Sequence, residues 1–494
     1  MRMRREDILA VYEEGPDAVV QLVEFLMDTI DKQSDQIAMM SERIAELEER
    51  VKTLEGQLKL NSRNSSKPPS SDGFRKPPVK RKKTGKPPGG QKGHKGHTLL
   101  MVEDPDWEIT YPVTECCSCG RSLERVEPAG CERRQVFDLP PIRMEVTEHR
   151  CERKLCPGCG CENKAVFPED VTQPVQYGPR AKAAAVYLNQ YQLIPYERTS
   201  EALSDLFGCD ISEGTLVNWT RAASEILKPV EDKIKRLLAS SPVANFDETG
   251  MGVEAKTVWC HVSSTEKLTH YGVHPRRGVE AMDDIGILPD FRGTAVHDGW
   301  QSYHSYDCSH GLCNAHNLRD LTFLAEEEGE RWAGKMKRLL GEMNAAVNER
   351  KANGLGKLSR SQRKRFEKRY EKILAEGFAA NPLPDIRGQP KKRGRRKKTK
   401  ARNLLERLRD RQSEVLRFMY DFSVPFDNNL AERDLRMVKV KQKISGTFRS
   451  WEGAHDFCRI RGYISTARKN SVPVIQVLAD VFEGNPFMPV PFES

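Results

Sequence analysis

Nowhere do the 494 residues contain about 18 consecutive apolar positions, the least a membrane-spanning helix requires, so a membrane-embedded protein is excluded. An apolar leader is also missing: the chain opens Met-Arg-Met-Arg and runs straight into charged, helix-forming sequence, and a cytoplasmic location is expected. The even spread of cysteines that marks a disulfide scaffold is absent too. Of thirteen cysteines, eight fall between Cys116 and Cys161, and a local cluster in a cytoplasmic chain points to a metal.

Acidic residues are missing from two short stretches. Residues 75–95 and 391–402 each hold nine Lys or Arg and no Asp or Glu; subtracting these 18 from the net charge of +9 leaves −9 for the rest. Positive charge concentrated in this way is the footprint of a polyanion binder, with two solvated linkers as the structural alternative. The expected phosphate contacts are Lys80, Arg81, Lys82, Lys83, Lys92 and Lys95 in the first run, and Arg393, Arg395 and Arg396 in the second.

What is present begins with a heptad repeat. Val23, Ile30, Ile37, Ile44, Val51 and Leu58 occupy its a positions, and Leu26, Gln33, Met40, Leu47 and Leu54 its d positions. Mostly β-branched residues at a with leucine favoured at d suit a parallel two-stranded coiled coil, and Gln33 can fix its register. A homodimer is therefore expected, with an amphipathic helix folded onto its own chain as the alternative.

Composition divides the rest into a multidomain α+β/α/β chain. A helical coiled-coil segment over 1–60 is followed by a flexible basic arm over 61–100, rich in Pro, Gly and Ser. Residues 101–175 read as short strands, including VFDLPP and MEVTEHRC, around the cysteines. Residues 176–240 read as helices at 181–189, 198–207 and 212–227, with a tight break at Gly208 and a Ser212 N-cap. Two short helices, a turn and a longer helix suggest a helix-turn-helix, whose third helix presents Thr215, Asn218 and Arg221 on one face. Strands VANFD, TVWCHVSS, LTHYGVHP and GTAVHDG make 241–325 the first part of an α/β core. Residues 326–422 form an α-helical insertion, helical to about 380 and again over 403–422, around the basic loop. The core's C-terminal part follows over 423–494, with helices at 430–440 and 453–469 and an extended tail.

Two motifs carry chemistry. Cys116-x-x-Cys119 and Cys156-x-x-Cys159 are paired knuckles, each followed by glycine, and four thiolates close one tetrahedral Zn2+ site with no position left for catalytic water. Cys117, Cys131, Cys151 and Cys161 are rival ligands. The second motif is a set of acids. Asp247 ends the apolar run VANF, Asp298 ends TAVH, and Glu432 opens a helix in NNLAERDLR. Carboxylates fixed at strand ends suit hard divalent ions, and two such ions can serve in-line phosphoryl displacement. Each acid taken alone fits a turn or a helix cap equally well. Glu248 and Asp427 are local competitors.

The strings NSRNSSKPPSSDG, PPGGQKGHKGH, LFGCDISEGTLVNW, NFDETG, HDGWQSY, CNAHNLRDL and NNLAERDLR, in this order, resemble the insertion-sequence 66 family of bacterial transposases over nearly the whole chain. The resemblance implies an RNase H-like core whose catalytic triad is Asp247, Asp298 and Glu432, binding Mg2+ or Mn2+, together with a zinc-binding domain. It implies cleavage at element ends and 3′-hydroxyl strand transfer, with double-stranded DNA as the partner and a nucleoid-associated location; the need for accessory proteins is not disclosed by the sequence. Where many relatives carry RKN-x-x-F after the glutamate helix, this chain reads KQKISGTFRS; Lys439, Lys441, Lys443 and Arg449 keep the positive charge there. His297 and Trp300 beside Asp298 fit core packing as well as a role at the site, and His316 fits an internal hydrogen bond as well as ligand positioning. A non-catalytic DNA-binding regulator and a nuclease without strand transfer are the competing functions.

Overall fold

The computed structural model describes residues 4–58, 99–140, 142–383 and 398–491. Lys80, Arg81, Lys82, Lys83, Lys92, Lys95, Arg393, Arg395 and Arg396, the expected phosphate contacts, lie outside the described residues. Described helices and strands combine in a mixed architecture in which no helix is long and apolar enough to cross a membrane.

Helix α1 (Arg5–Glu13) turns at Gly15, whose φ of +109° favours glycine, into α2 (Pro16–Leu58). Along α2 the heptad stripe faces solvent, with Ile30, Ile37 and Ile44 each 58–64% exposed. In the cysteine segment a small antiparallel hairpin pairs β1 (Arg153–Leu155) with β2 (Glu162–Lys164). Among the described residues, the strands expected at VFDLPP and MEVTEHRC do not form. Val136 and Val146 are both 91% exposed there: alternation alone cannot hold a strand that has no partner edge and no apolar layer beneath it.

Four helices then lead to the sheet: α3 (Pro179–Val186), which runs on through a π turn at Tyr187–Tyr191, α4 (Tyr196–Phe207), α5 (Glu213–Ile226) and α6 (Lys228–Ala239). As the sequence signals, Gly208 ends α4 in the left-handed region at φ +62°, and the Ser212 hydroxyl accepts the Thr215 amide at 3.2 Å to cap α5. Val186, Leu227, Ile234 and Leu238 from these helices share one continuous core with Phe246 and Ala295 of the sheet.

Five strands make that sheet: β3 (Val243–Val253), β4 (Lys256–Ser264), β5 (Thr269–His274), then after α7 (Val279–Ile285) β6 (Thr294–His297) and β7 (Ser309–Leu312). Their spatial order is β5-β4-β3-β6-β7, with β3 to β5 an antiparallel meander and β6 and β7 parallel to β3.

Between sheet and C-terminus lies the helical insertion: α8 (Asn314–Glu326), α9 (Arg331–Ala352), α10 (Arg360–Ala380), α11 (Lys400–Asp410), α12 (Gln412–Val415) and α13 (Arg417–Tyr420). It closes its own core around Trp332, Met336, Leu340, Tyr370, Leu405 and Phe418. The stretch expected as one helix over 403–422 is three, interrupted at Arg411 and Leu416.

The chain returns to the sheet as α14 (Asn429–Ser445), α15 (Trp451–Lys469) and α16 (Val474–Phe482). Residues 474–482 form the unanticipated α16, which packs Val474, Val477, Leu478 and Val481 inward against α3 and α15 and leaves Gln476 exposed. Strand β3 explains the layering: Ala244 and Phe246 enter the core with α5 and α6, while Met251 and Val253 on the other parity pack against Ala431, Leu435 and Val438 of α14.

Glu231 of α6 joins the helices to the sheet and to α15, with Oε2 accepting from Arg459 at 2.7 Å and Oε1 lying 3.6 Å from His270. Burial works against its charge, but His270 and Arg459 outweigh it and hold the carboxyl down at about 2. Because this lies below the unfolded value of about 4.5, the stabilisation is complete above that value and is lost as pH falls toward 2. Urea denaturation across pH should show Glu231→Gln about 3 kcal/mol less stable near pH 7. The gap to the parent protein should shrink steadily below pH ~4.5; a constant gap would contradict the assignment.

Candidate active site

The parallel pairing of β3 with β6 aligns Asn245 with Val296. Two residues further along each chain, Asp247 and Asp298 reach the same level on neighbouring strands and the same face. Asp298 stands just past the end of β6, as expected, and its carboxylate accepts the Trp300 amide at 2.8 Å. Asp247 does not end its strand: β3 runs six residues further because β4 pairs along its other edge as far as Val253. Its opening to solvent comes from the shorter neighbour β6.

Glu432 arrives on the first turn of α14, and the start of that helix is tied to the sheet by a buried amide. Asn428 Nδ2 donates to the Phe246 carbonyl at 2.8 Å, its Oδ1 accepts Asn245 Nδ2 at 2.8 Å, and its backbone amide donates to Cys313 Sγ at 3.1 Å. A neighbouring bond, from the Asn314 amide to the Phe426 carbonyl at 3.1 Å, ties the same loop to α8. With the Asn428 side chain committed to β3, Asp427 takes over at the helix start and accepts the Asn429 amide at 3.1 Å.

The electrostatics of this face are those of crowded anions. Burial, then the charge of Glu248, then those of Asp298 and Glu432, push the Asp247 carboxyl well above its ordinary range, although the Glu248 amide opposes the shift. Glu432 Oε1 is buried without a donor. His316 Nδ1, likewise without a partner, lies 4.0 Å from that oxygen, and Arg319 Nη2 lies 3.7 Å from Oε2. Burial and Arg319 push His316 down, toward the neutral imidazole. Cys313, His316 and Glu432 each bring one ligand-type atom within 4.8 Å of the other two.

Glu248, a competitor by sequence, is taken up elsewhere. Its side chain is 1% exposed and bonded by Arg277, at 2.5 Å, and by the Tyr303 hydroxyl. The same guanidinium lies over the rings of Trp300, at 4.1 Å, and Trp259, at 4.9 Å. Trp300 therefore packs against the core under Arg277. His297 is fully buried and stacked on Tyr303.

In the cysteine segment the two knuckles share one backbone design. The amides of Gly120 and Gly160 donate to the carbonyls of Cys116 and Cys156, with φ near +70° at both glycines. Local backbone hydrogen bonds, then the neighbouring thiol, lower the Cys116 and Cys156 thiols, which favours thiolate. Each knuckle is formed separately; Cys116, Cys119, Cys156 and Cys159 are not among the groups that converge within 4.8 Å.

Of the other DNA-contact candidates, Asn218 and Arg221 are exposed on α5, whereas Thr215 is half-buried and bonded to Ser212. Lys443 and Arg449 are exposed. Lys439 is instead engaged by the Gly250 carbonyl, and half-buried Lys441 by Ser445 at 3.2 Å.

Comparison with known proteins places this chain in a class of DNA-processing enzymes. The model of the Transposase IS66 family matches residues 174–456, which contain the whole sheet and its acidic face. The chain belongs to that family. A zinc-finger binding domain of transposase IS66 matches residues 114–160, both knuckles included, and a family of unknown function matches residues 18–99. The chain is also similar to an uncharacterized protein, y4hP, of Sinorhizobium fredii, with 22% identity over 411 residues, 76% of this chain and 71% of the relative.

Asn428 is the residue on which the position of Glu432 rests, and its removal strands the Asn245 amide and the Phe246 carbonyl in the interior. Asn428→Ala should cost about 2–4 kcal/mol in chemical denaturation, and Asn428→Asp, which keeps one acceptor but loses the donor to Phe246, should not restore it. Parent-like stability in Asn428→Ala would remove this amide from the argument.

Proposed function

We propose that this protein is a DNA transposase that cleaves the ends of a mobile element and joins the freed 3′-hydroxyls to target DNA. The sheet order, with an antiparallel meander continued by two parallel strands, supports an RNase H-like core, and the helical unit between β7 and α14 is then its insertion. The observation that carries the reading is the parallel register that puts Asp247 beside Asp298 on the face covered by the first turn of α14.

Asp247, Asp298 and Glu432 would hold divalent cations, Mg2+ or Mn2+. Their donors are all hard oxygens, the Asp247 carboxyl is held above its ordinary range by burial and like charges, and Glu432 Oε1 has no donor. Bound cations would relieve each of these conditions. When present, a pair of such ions supplies charge stabilisation to the attacking and leaving oxygens of an in-line displacement.

The chain's own groups do the rest. Arg319 sets a positive charge 3.7 Å from Glu432 Oε2, Asn428 fixes the helix that carries Glu432, and Arg277 with Tyr303 keeps Glu248 out of the site. Water attacks the phosphodiester at the element end in the first step; the 3′-hydroxyl so released attacks a target phosphodiester in the second, and no nucleophilic side chain is consumed. The basic runs and exposed Lys443 and Arg449 supply phosphate contacts, while α5 and the zinc-binding segment are the available readers of terminal sequence.

The four knuckle cysteines, which lie within the family's zinc-finger match, would hold Zn2+ once the two knuckles close together. Parallel pairing of α2 in a homodimer would cover its exposed stripe and bring two element ends together.

Two experiments test the reading. Asp298→Asn should lower cleavage of an end-containing duplex by at least about 100-fold while binding in a gel-shift assay stays near the parent level; if the parent binds DNA and cuts none with Mg2+ or Mn2+, a regulator is the better account, and cutting without joining identifies a nuclease. Ile37→Asp with Ile44→Asp should convert a dimer to a monomer in sedimentation and abolish paired-end joining while single-end nicking continues. Unchanged joining by a monomeric variant would remove the coiled coil from the mechanism.

A further inference from the structure

On much of the helical insertion, surface cations meet acids. Lys335 pairs with Glu376 at 2.6 Å, Lys337 with Glu326 at 3.9 Å, Arg369 with Glu342 at 2.7 Å and Arg407 with Asp320 at 2.6 Å. The outer face of α10 departs from that pattern. Residues 357–372 hold eight Lys or Arg against two Glu, and Arg360, Lys364, Arg365, Lys368 and Lys372 are all exposed. Among the described residues none of these five forms an ion pair. The opposite face of the helix is committed to the insertion's core through Phe366, Tyr370, Ile373 and Leu374.

Arg360, Lys364, Lys368 and Lys372 follow one another at every fourth residue, a ridge that rises about 6 Å per step along roughly 18 Å of helix. This ridge weakens the helix in two ways. Like charges four residues apart repel. Arg360, Lys364 and Arg365 also stand near the helix start, where the backbone dipole favours acids, and α10 has no acid in its first turn. A reciprocal cap offsets part of the cost: the Gln362 amide donates to Ser359 Oγ at 3.2 Å, and the Ser359 amide to Gln362 Oε1 at 3.2 Å. A merely solvated face would mix its signs, as the paired surfaces of the insertion do. The two glutamates stand to one side of the ridge, where Glu367 accepts the Tyr420 hydroxyl at 2.8 Å and Glu371 follows one turn on.

We propose that the outer face of α10 is a track for the phosphate backbone of duplex DNA, held without regard to sequence. Evenly spaced cations on a rigid rod suit a row of phosphates, and release of the DNA's counter-ions supplies the driving force. Three of the four ridge residues are Lys, a point charge suited to phosphate rather than to bidentate reading of a base. In the two-step reaction proposed above, such a duplex is the target, since element ends must be read. That identification rests on the reaction, whereas the track rests on the arrangement of charge alone.

Fluorescence anisotropy of the full chain with a random-sequence duplex, over a range of salt concentrations, tests the track. With Arg360→Gln, Lys364→Gln, Lys368→Gln and Lys372→Gln combined, the slope of log affinity against log salt should fall in magnitude by about 3, and affinity at low salt by at least about 10-fold. Lys364→Arg, Lys368→Arg and Lys372→Arg combined should keep the parent slope. Because glutamine relieves the repulsion, the urea midpoint of the first variant should not fall; a lower midpoint would contradict the mutual repulsion from which the track is inferred. Equal losses on an end-containing duplex would support a sequence-independent track, and a loss confined to that duplex would make α10 a reader and overturn it. An unchanged slope beside a parent that binds DNA would also overturn the track, leaving α10 a solvated face and the proposed reaction untouched. A parent that binds neither duplex would remove both.

Discussion

Two aspartates side by side at the end of a parallel strand pair repel each other, and much of the surrounding structure holds them there. The pairing of Asn245 with Val296 sets their common level, and hydrogen bonds from following amides restrain both carboxylates. The third carboxylate is brought in by a helix that would be free to slide without Asn428, whose side chain joins α14 to β3 across 182 residues of sequence. The arrangement is costly without a counter-ion, because burial and like charge act in the same direction on Asp247. Stability and the proposed ligand demand meet at the same residues: the sheet supplies the energy that holds the acids together, and the acids would supply the affinity for a cation.

How far the sequence discloses this follows from the range of each interaction. Caps and breaks are local, so Gly208 and Ser212 are readable in LFGCDISEG, and the helix that begins near Asn429 is readable from NNLAERDLR. The acids themselves were visible through the motifs around them. The true length of β3 was not, since the two-residue turn to β4 is made by Glu254 and Ala255, both at positive φ, where Asn-Gly would be the ordinary signal. Asn428 stood in plain view as the first letter of NNLAER, but its purpose is a tertiary bond that no local pattern encodes. The same holds for Arg277, His304, His310 and Glu414, whose partners come from other elements.

Alternation and periodicity misled where tertiary context was weak. VFDLPP and MEVTEHRC alternate, yet no neighbouring edge takes them up. The stretch at 474–482 does carry a helical stripe, with Val474, Val477, Leu478 and Val481 buried and Ile475 and Gln476 exposed, but at nine residues it is short enough to be passed over beside the proline-bearing tail. In α2 the opposite occurs: the stripe is unmistakable in sequence and has no cover in the single chain.

The two faces of β6 bear on one question, namely what keeps Asp298 in place beside Asp247. On one face the charge of Asp298 adds to those that bear on Asp247. On the other, one residue earlier, His297 is locked by Tyr303, the Gly299 amide and His310. Through Arg411 and Glu414 this lock reaches α12, and so the core of the insertion. A displacement of the insertion would therefore be transmitted to the strand end beneath Asp298 through packed rings and short polar contacts. Under the strand transfer proposed above, rigid coupling of that kind would let two displacements use the same acids without their spacing drifting between steps.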